Sequence, residues 1–96
     1  MTGKQRAYLR SLANTVPAKY QIGKNGFSDP NFLQQLEEGL EKNELVKITV
    51  LENAGLTARE ASDAICEKIG AVGVQAIGRK IVLYKESKEN RKIILP

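Results

Sequence analysis

Tyr20-Gln21-Ile22-Gly23-Lys24-Asn25-Gly26, followed closely by Ser28-Asp29-Pro30, is the stretch in which a strand gives way to a helix. The strand reads as Lys19 to Ile22 and ends in a G-x-x-G loop. The helix starts after Asp29, with Pro30 at its first position. Gly23 and Gly26 bracket Lys24 and Asn25, so the backbone can turn tightly and let a partner come close. The helix directs its free N–H groups back at the loop, which suits a phosphate. No acidic residue precedes Asp29. A nucleic-acid backbone is therefore a better match to this segment than a catalytic substrate.

Outward from the loop, periodicity divides the rest of the chain. The first helix is expected over Gly3 to Asn14, opened by a capping box of Thr2 and Gln5 and stopped before Pro17. Its apolar stripe is Tyr8, Leu9, Leu12, Ala13 and Val16. The second helix buries Phe32, Leu33, Leu36 and Leu40. A strand over Leu45 to Leu51 alternates Val46, Ile48 and Val50 with Lys47 and Thr49, so one face is the better buried. Thr57 and Glu60 open a third helix with a second capping box. Ala58, Ala61, Ala64, Ile65 and Ile69 form its core face, and Gly70 ends it. Strands over Val72 to Ile77 and Lys80 to Lys85 are joined by a Gly78-Arg79 turn. Glu86 to Arg91 reads as a charged loop, and Ile93-Ile94-Leu95 as a short edge strand.

The order α-β-α-β-α-β-β contains two β-α-β units, which imply parallel pairing. The expectation is one domain over residues 1–96, an α/β sandwich with a four-stranded mixed sheet and a terminal hairpin. If both crossovers move in one direction, the second and third helices share a face.

Composition narrows the chemistry. Ninety-six residues without histidine and with the single Cys66 lack the commonest general base and the usual zinc ligands. No enzymatic activity, cofactor or metal is expected. No apolar run reaches the roughly 18 residues of a membrane span, and one cysteine fits a reducing compartment. A cytoplasmic protein without membrane contact is expected.

The net charge of +4 is unevenly spread. Residues 1–24 carry Lys4, Arg6, Arg10, Lys19 and Lys24 and no acid. Residues 25–46 carry five acids and one lysine, and residues 79–96 six bases and two acids. A fold that joins the two ends would make one positive face, attractive to polyanions.

Several segments in order carry a family resemblance. They are Thr2-Gly3-Lys4-Gln5-Arg6 with Tyr8-Leu9-Arg10-Ser11-Leu12-Ala13, then Gln21 to Gly26, Asn43 to Ile48, and Val74 to Lys85, with Ile94-Leu95-Pro96 at the close. Together they resemble the CRM domain, the chloroplast RNA splicing and ribosome maturation domain, most of all its stand-alone bacterial YhbY-type members. The resemblance implies a fold related to the C-terminal domain of translation initiation factor three. It also implies RNA binding and association with precursors of the large ribosomal subunit. Asn14 and Lys85 depart from the histidine and arginine common in the family. At Lys85 the forked contact of an arginine is lost.

On this reading Gly23 and Gly26 permit close approach, Lys24 neutralises a phosphate and Asn25 hydrogen-bonds to the ligand. Lys4, Arg6, Arg10, Arg79, Lys80 and Lys85 supply the basic surroundings. The plainer alternatives stand beside it. The loop is also a good strand-to-helix turn, and the basic residues are also solvated faces. Tyr20 and Tyr84 either stack on bases or half-bury in strands. Phe27 either staples the loop to the second helix or stacks. Glu37, Glu38, Glu41 and Glu44 read as a solvated acidic face. The expected partner is large-subunit ribosomal RNA or its precursor, bound by a monomer. The alternative is a protein-binding adaptor that docks through the acidic helix.

Overall fold

The computed structural model describes residues 1–24, 26 and 29–96. In chain order its elements are α1 (Gly3–Ala13), β1 (Ala18–Ile22), α2 (Pro30–Asn43), β2 (Leu45–Val50), a 3₁₀ turn (Glu52–Ala54), α3 (Ala58–Ile69), β3 (Val72–Ile77) and β4 (Lys80–Tyr84). Both capping boxes form in full: Thr2 and Gln5 exchange hydrogen bonds of 3.1 Å, as do Thr57 and Glu60 at 3.0 and 3.1 Å. Gly70 ends α3 in the left-handed conformation, at φ 71°.

The sheet order is β1-β2-β4-β3. β1 and β2 are parallel, and β4 runs antiparallel to both β2 and β3. The second crossover therefore passes over β4, and both crossovers travel the same way across the sheet. α2 and α3 share one face as a result. Leu36, Leu40, Ala61, Ile65 and Ile69 meet Ile22, Val46, Ile48, Val50, Ile81 and Leu83 in one core. α1 covers the other face, where Leu9 and Ala13 pack on Leu45, Val74, Val82 and Tyr84.

Two close approaches depend on glycine. A methyl group at Gly39 of α2 would collide with the Tyr20 hydroxyl, and one at Gly73 of β3 would lie 3.1 Å from Ser62 Oγ. Gly39 costs α2 about 1 kcal/mol in helix propensity, and the slot it leaves seats the Tyr20 ring on the core. Tyr84 is buried on the α1 side. Tyr20 is half-buried against the α2–α3 core, as a strand residue would be.

Four local expectations are corrected. Tyr8 is exposed, because Leu9 and Ala13 take the inward face of α1. Ala64 is half-buried and Ser62 turns inward instead, against Gly73. β2 stops at Val50, and the chain turns at Glu52–Ala54. Ile93-Ile94-Leu95 adds no strand: Ile93 and Leu95 pack beside α1, while Ile94 is 86% exposed.

The acidic face is corrected as well. Glu44 ends α2 at φ 64°, a left-handed conformation uncommon for a residue with a side chain. Its carboxylate is buried and accepts the N–H groups of Ser87, Lys92 and Ile93 at 2.9, 2.6 and 2.9 Å. Glu41 accepts from Ser87 Oγ at 2.6 Å and from the Lys88 and Glu89 N–H groups at 2.9 and 3.0 Å. These two carboxylates hold the C-terminal segment on the domain. Only Glu37 and Glu38 of the four remain exposed.

Candidate nucleic-acid interface

The C-terminal ends of β1 and β2 and the start of β4 lie at one end of the sheet. There the Gly26 N–H donates to the Gly23 carbonyl at 2.8 Å, and Gly26 has φ 61°. Lys24 is therefore the second residue of a hydrogen-bonded turn, and its side chain is exposed. Asn25 and Phe27, assigned contact and packing roles from sequence, lie outside the described residues.

The Gly78-Arg79 turn sits at the same end. The Leu51 N–H donates to the Ile22 carbonyl at 2.8 Å, and the Val50 N–H to the Arg79 carbonyl at 2.7 Å. The end of β2 thus stands between the loop and the turn, two strand spacings or about 10 Å apart. Lys80 Nζ donates to Thr49 Oγ1 at 2.7 Å, and Arg79 Nη1 reaches the Leu56 carbonyl at 3.5 Å. The ion pairs among the described residues are Arg59–Asp63 and Arg91–Glu86. Neither involves Lys4, Arg6, Arg10, Lys24, Arg79 or Lys80. This end of the molecule carries cations whose side-chain partners are neutral oxygens.

The start of α2 differs from the sequence expectation of an open anion cradle. Pro30 has no N–H, the Asn31 N–H bonds Asp29 Oδ1 at 2.9 Å, and the Phe32 N–H bonds the Asp29 carbonyl at 3.0 Å. The cap that starts the helix also occupies its first donors, and its negative charge opposes a phosphate there. A ligand at this loop would meet Lys24 and the glycine backbone, with little help from the helix terminus.

The other sequence-derived site residues do not all gather at this end. Lys4 and Arg10 are exposed on α1. Arg6 lies against β3, the edge strand farthest from β1. It lines a depression with Arg59, Ser62, Asp63, Gly73 and Gln75. Its Nε is buried without a hydrogen-bond partner among the described residues. Lys85 is at the opposite end of the sheet, where its Nζ donates to the Ile69 carbonyl at 2.8 Å. That contact satisfies the C-terminus of α3 and favours a cation there, which gives Lys85 a structural role.

The titrations with resolved shifts belong to the fold rather than to this end. Hydrogen bonds from the Lys88 N–H, Ser87 Oγ and the Glu89 N–H pull Glu41 down to about 2. Burial pushes Glu44 up, but the N–H donors of Lys92, Ser87 and Ile93 together outweigh it and hold the carboxyl below its ordinary value. Burial pushes up the Cys66 thiol and the Tyr84 phenol.

The sequence reading passed over Lys47, Thr49 and Gln21, which lie beside this end. By alternation Lys47 and Thr49 fall on the less buried side of β2. The usable signal was helix count: a single helix, about 10 Å across, covers only about half of one face of a four-stranded sheet.

This arrangement, a three-helix α/β domain with a glycine loop at the end of a mixed sheet, matches a known family. The chain belongs to the CRS1/YhbY (CRM) domain family, whose model matches residues 1–85. It is 44% identical over 96 residues to the "Probable RNA-binding protein YqeI" of Bacillus subtilis (strain 168), covering 100% of this chain and 99% of that one. It is 33% identical to an "RNA-binding protein" of Haemophilus influenzae (strain ATCC 51907 / DSM 11121 / KW20 / Rd), covering 100% of this chain and 95% of the other. The solution structure of the hypothetical protein SAV1595 from Staphylococcus aureus has the same fold, with a TM-score of 0.77. It is 40% identical and the match covers 100% of this chain and 99% of that one.

Proposed function

We propose that this chain is a non-enzymatic RNA-binding domain that acts as a monomer in the cytoplasm. Its ligand is large-subunit ribosomal RNA or its precursor during ribosome assembly. The observation that carries the reading is the grouping of Lys24, Arg79 and Lys80 at the loop end of the sheet, without an ion-pair partner among the described residues. The names of the relatives point the same way. Gly23 and Gly26 give the backbone room, Lys24, Arg79 and Lys80 neutralise phosphates, and Lys4, Arg6 and Arg10 add positive potential from α1. The protein-binding alternative has less to stand on, since Glu41 and Glu44 are engaged by the tail. The reading is tested by titrating a labelled ribosomal RNA fragment at several salt concentrations. Arg79 and Lys80 changed together to Ala should lower the salt slope by about 1.4, or about 0.7 per phosphate contact on a single strand. An unchanged slope in the folded variant removes the turn from the interface.

A further inference from the structure

The four strands contain no acidic residue, and their charged residues are Lys19, Lys47 and Lys80. All three lie on the α1 side of the sheet. Lys47 alternates with Val46 and Ile48, which enter the α2–α3 core. Lys80 reaches Thr49 on that same side. Lys19 lines a groove with Leu12 and Val16 at the end of α1.

α1 roofs only part of this face. Its contacts are Leu45, Val74, Val82 and Tyr84, none of them on β1. The remainder is an open polar floor. Strand register aligns Gln21 with Thr49, Thr49 with Lys80, and Lys80 with Ile77, in one row across all four strands. The row spans three strand spacings, about 14 Å, and Gln21 is two residues from Gly23. Ile77 is 64% exposed in spite of being aliphatic.

Resting on the RNA-binding reading above, we infer that this floor is a path for single-stranded RNA continuous with the Gly23–Gly26 loop. The charge matches a polyanion from one side only. The side chains suit a single strand: lysines for phosphates, Gln21 and Thr49 for hydrogen bonds to sugar or base edges, and Ile77 for apolar contact. Lys47 and Thr49 are half-buried, and α1 stands beside them as a wall about 10 Å high. A stiff duplex rests on that wall and cannot reach the floor, whereas a single strand can. Among the described residues, Tyr20 packs against the α2–α3 core and Tyr84 is buried under α1, so neither strand tyrosine offers a base a free stacking face on the floor.

The test compares a labelled, unstructured 12-nucleotide RNA with the 12-base-pair duplex of the same sequence, read by fluorescence anisotropy. The wild type should bind the single strand more tightly. Lys19→Gln with Lys47→Gln should weaken single-strand binding at least about fivefold and lower its salt slope by about 1.4, with duplex binding unchanged. Thermal unfolding confirms that the variant is folded, and Gln21→Ala, at an exposed position of the same row outside the loop-end cations, should weaken single-strand binding and not duplex binding. Equal losses on both ligands would reduce the floor to a general electrostatic contribution and overturn the single-strand path. Unchanged single-strand binding would overturn it too, while leaving the loop and RNA binding intact. If the wild type binds neither RNA, the functional reading itself fails.

Discussion

Glu41 and Glu44 at one end of the sheet accept six hydrogen bonds from the C-terminal segment, while Lys24, Arg79 and Lys80 at the other end form no ion pair among the described residues. Both clusters are charged stretches in the sequence. One is consumed by the fold, and the other faces outward. The physical difference lies in their partners. The N–H groups of an irregular tail need acceptors if the tail is to lie on the domain, and a carboxylate accepts several at once. Nothing in the fold makes an equivalent demand on the lysines and arginine at the loop end, so their charge remains available to a ligand. A charge with an obligatory internal partner is structural, and a charge without one is a candidate for binding.

The strongest way to break that comparison is Glu44→Ala. It removes the acceptor of three N–H groups, and stability should fall by roughly 2–4 kcal/mol in chemical denaturation. Glu44→Gly is the informative companion. It relieves the left-handed backbone, yet it should still be destabilised, because the carboxylate is what the tail requires. A Glu44→Gly protein as stable as the parent would mean that the clamp contributes nothing. RNA affinity, measured well below the unfolding midpoint, should change little in either variant.

Lys24→Glu probes the opposite end. Affinity for RNA should fall at least about tenfold, or roughly 1.4 kcal/mol, with the melting temperature nearly unchanged. Glu38→Gln is the control, since it removes a charge from the still-exposed part of α2 and should leave affinity as it was. Undiminished binding by Lys24→Glu, or a loss on Glu38→Gln, would reverse the assignment of the two faces.

The smallest effect is a pH dependence. Glu41 is pulled from its ordinary 4.5 to about 2 by its hydrogen bonds. A carboxyl depressed in the folded state stabilises it fully above the ordinary value, and that contribution is lost as pH falls from 4.5 towards 2. The Lys88 and Glu89 amide resonances should therefore titrate with a midpoint near pH 2. A midpoint near 4.5 would show that Glu41 does not grip the tail in solution.

Much of the architecture was legible because its causes are local. Thr2 with Gln5, Thr57 with Glu60, Pro30 and Gly70 mark helix ends within a turn of where they act. The alternation of Val46, Ile48 and Val50 names the buried side of β2. The loop was legible for the same reason: Gly23 and Gly26 lie close in sequence and bond to each other. Asp29 shows the limit of that logic. The helix does start after it, but its side chain and carbonyl fill the donors that were expected to be free for phosphate.

The sequence by itself determined the elements, their order and the acid-free composition of the strands, because period, capping and charge are properties of neighbouring residues. Tertiary structure alone decided which charges remain free. Glu44 meets Ser87 across 43 residues of chain, Lys85 meets Ile69 across 16, and Tyr20 finds its seat at Gly39. Each pairing depends on where the crossovers set the helices against the sheet. The same holds for the open floor beside α1: Lys19, Lys47 and Lys80 come from three separate strands. Only the sheet order brings them together on one face, and a single helix is too narrow to cover them.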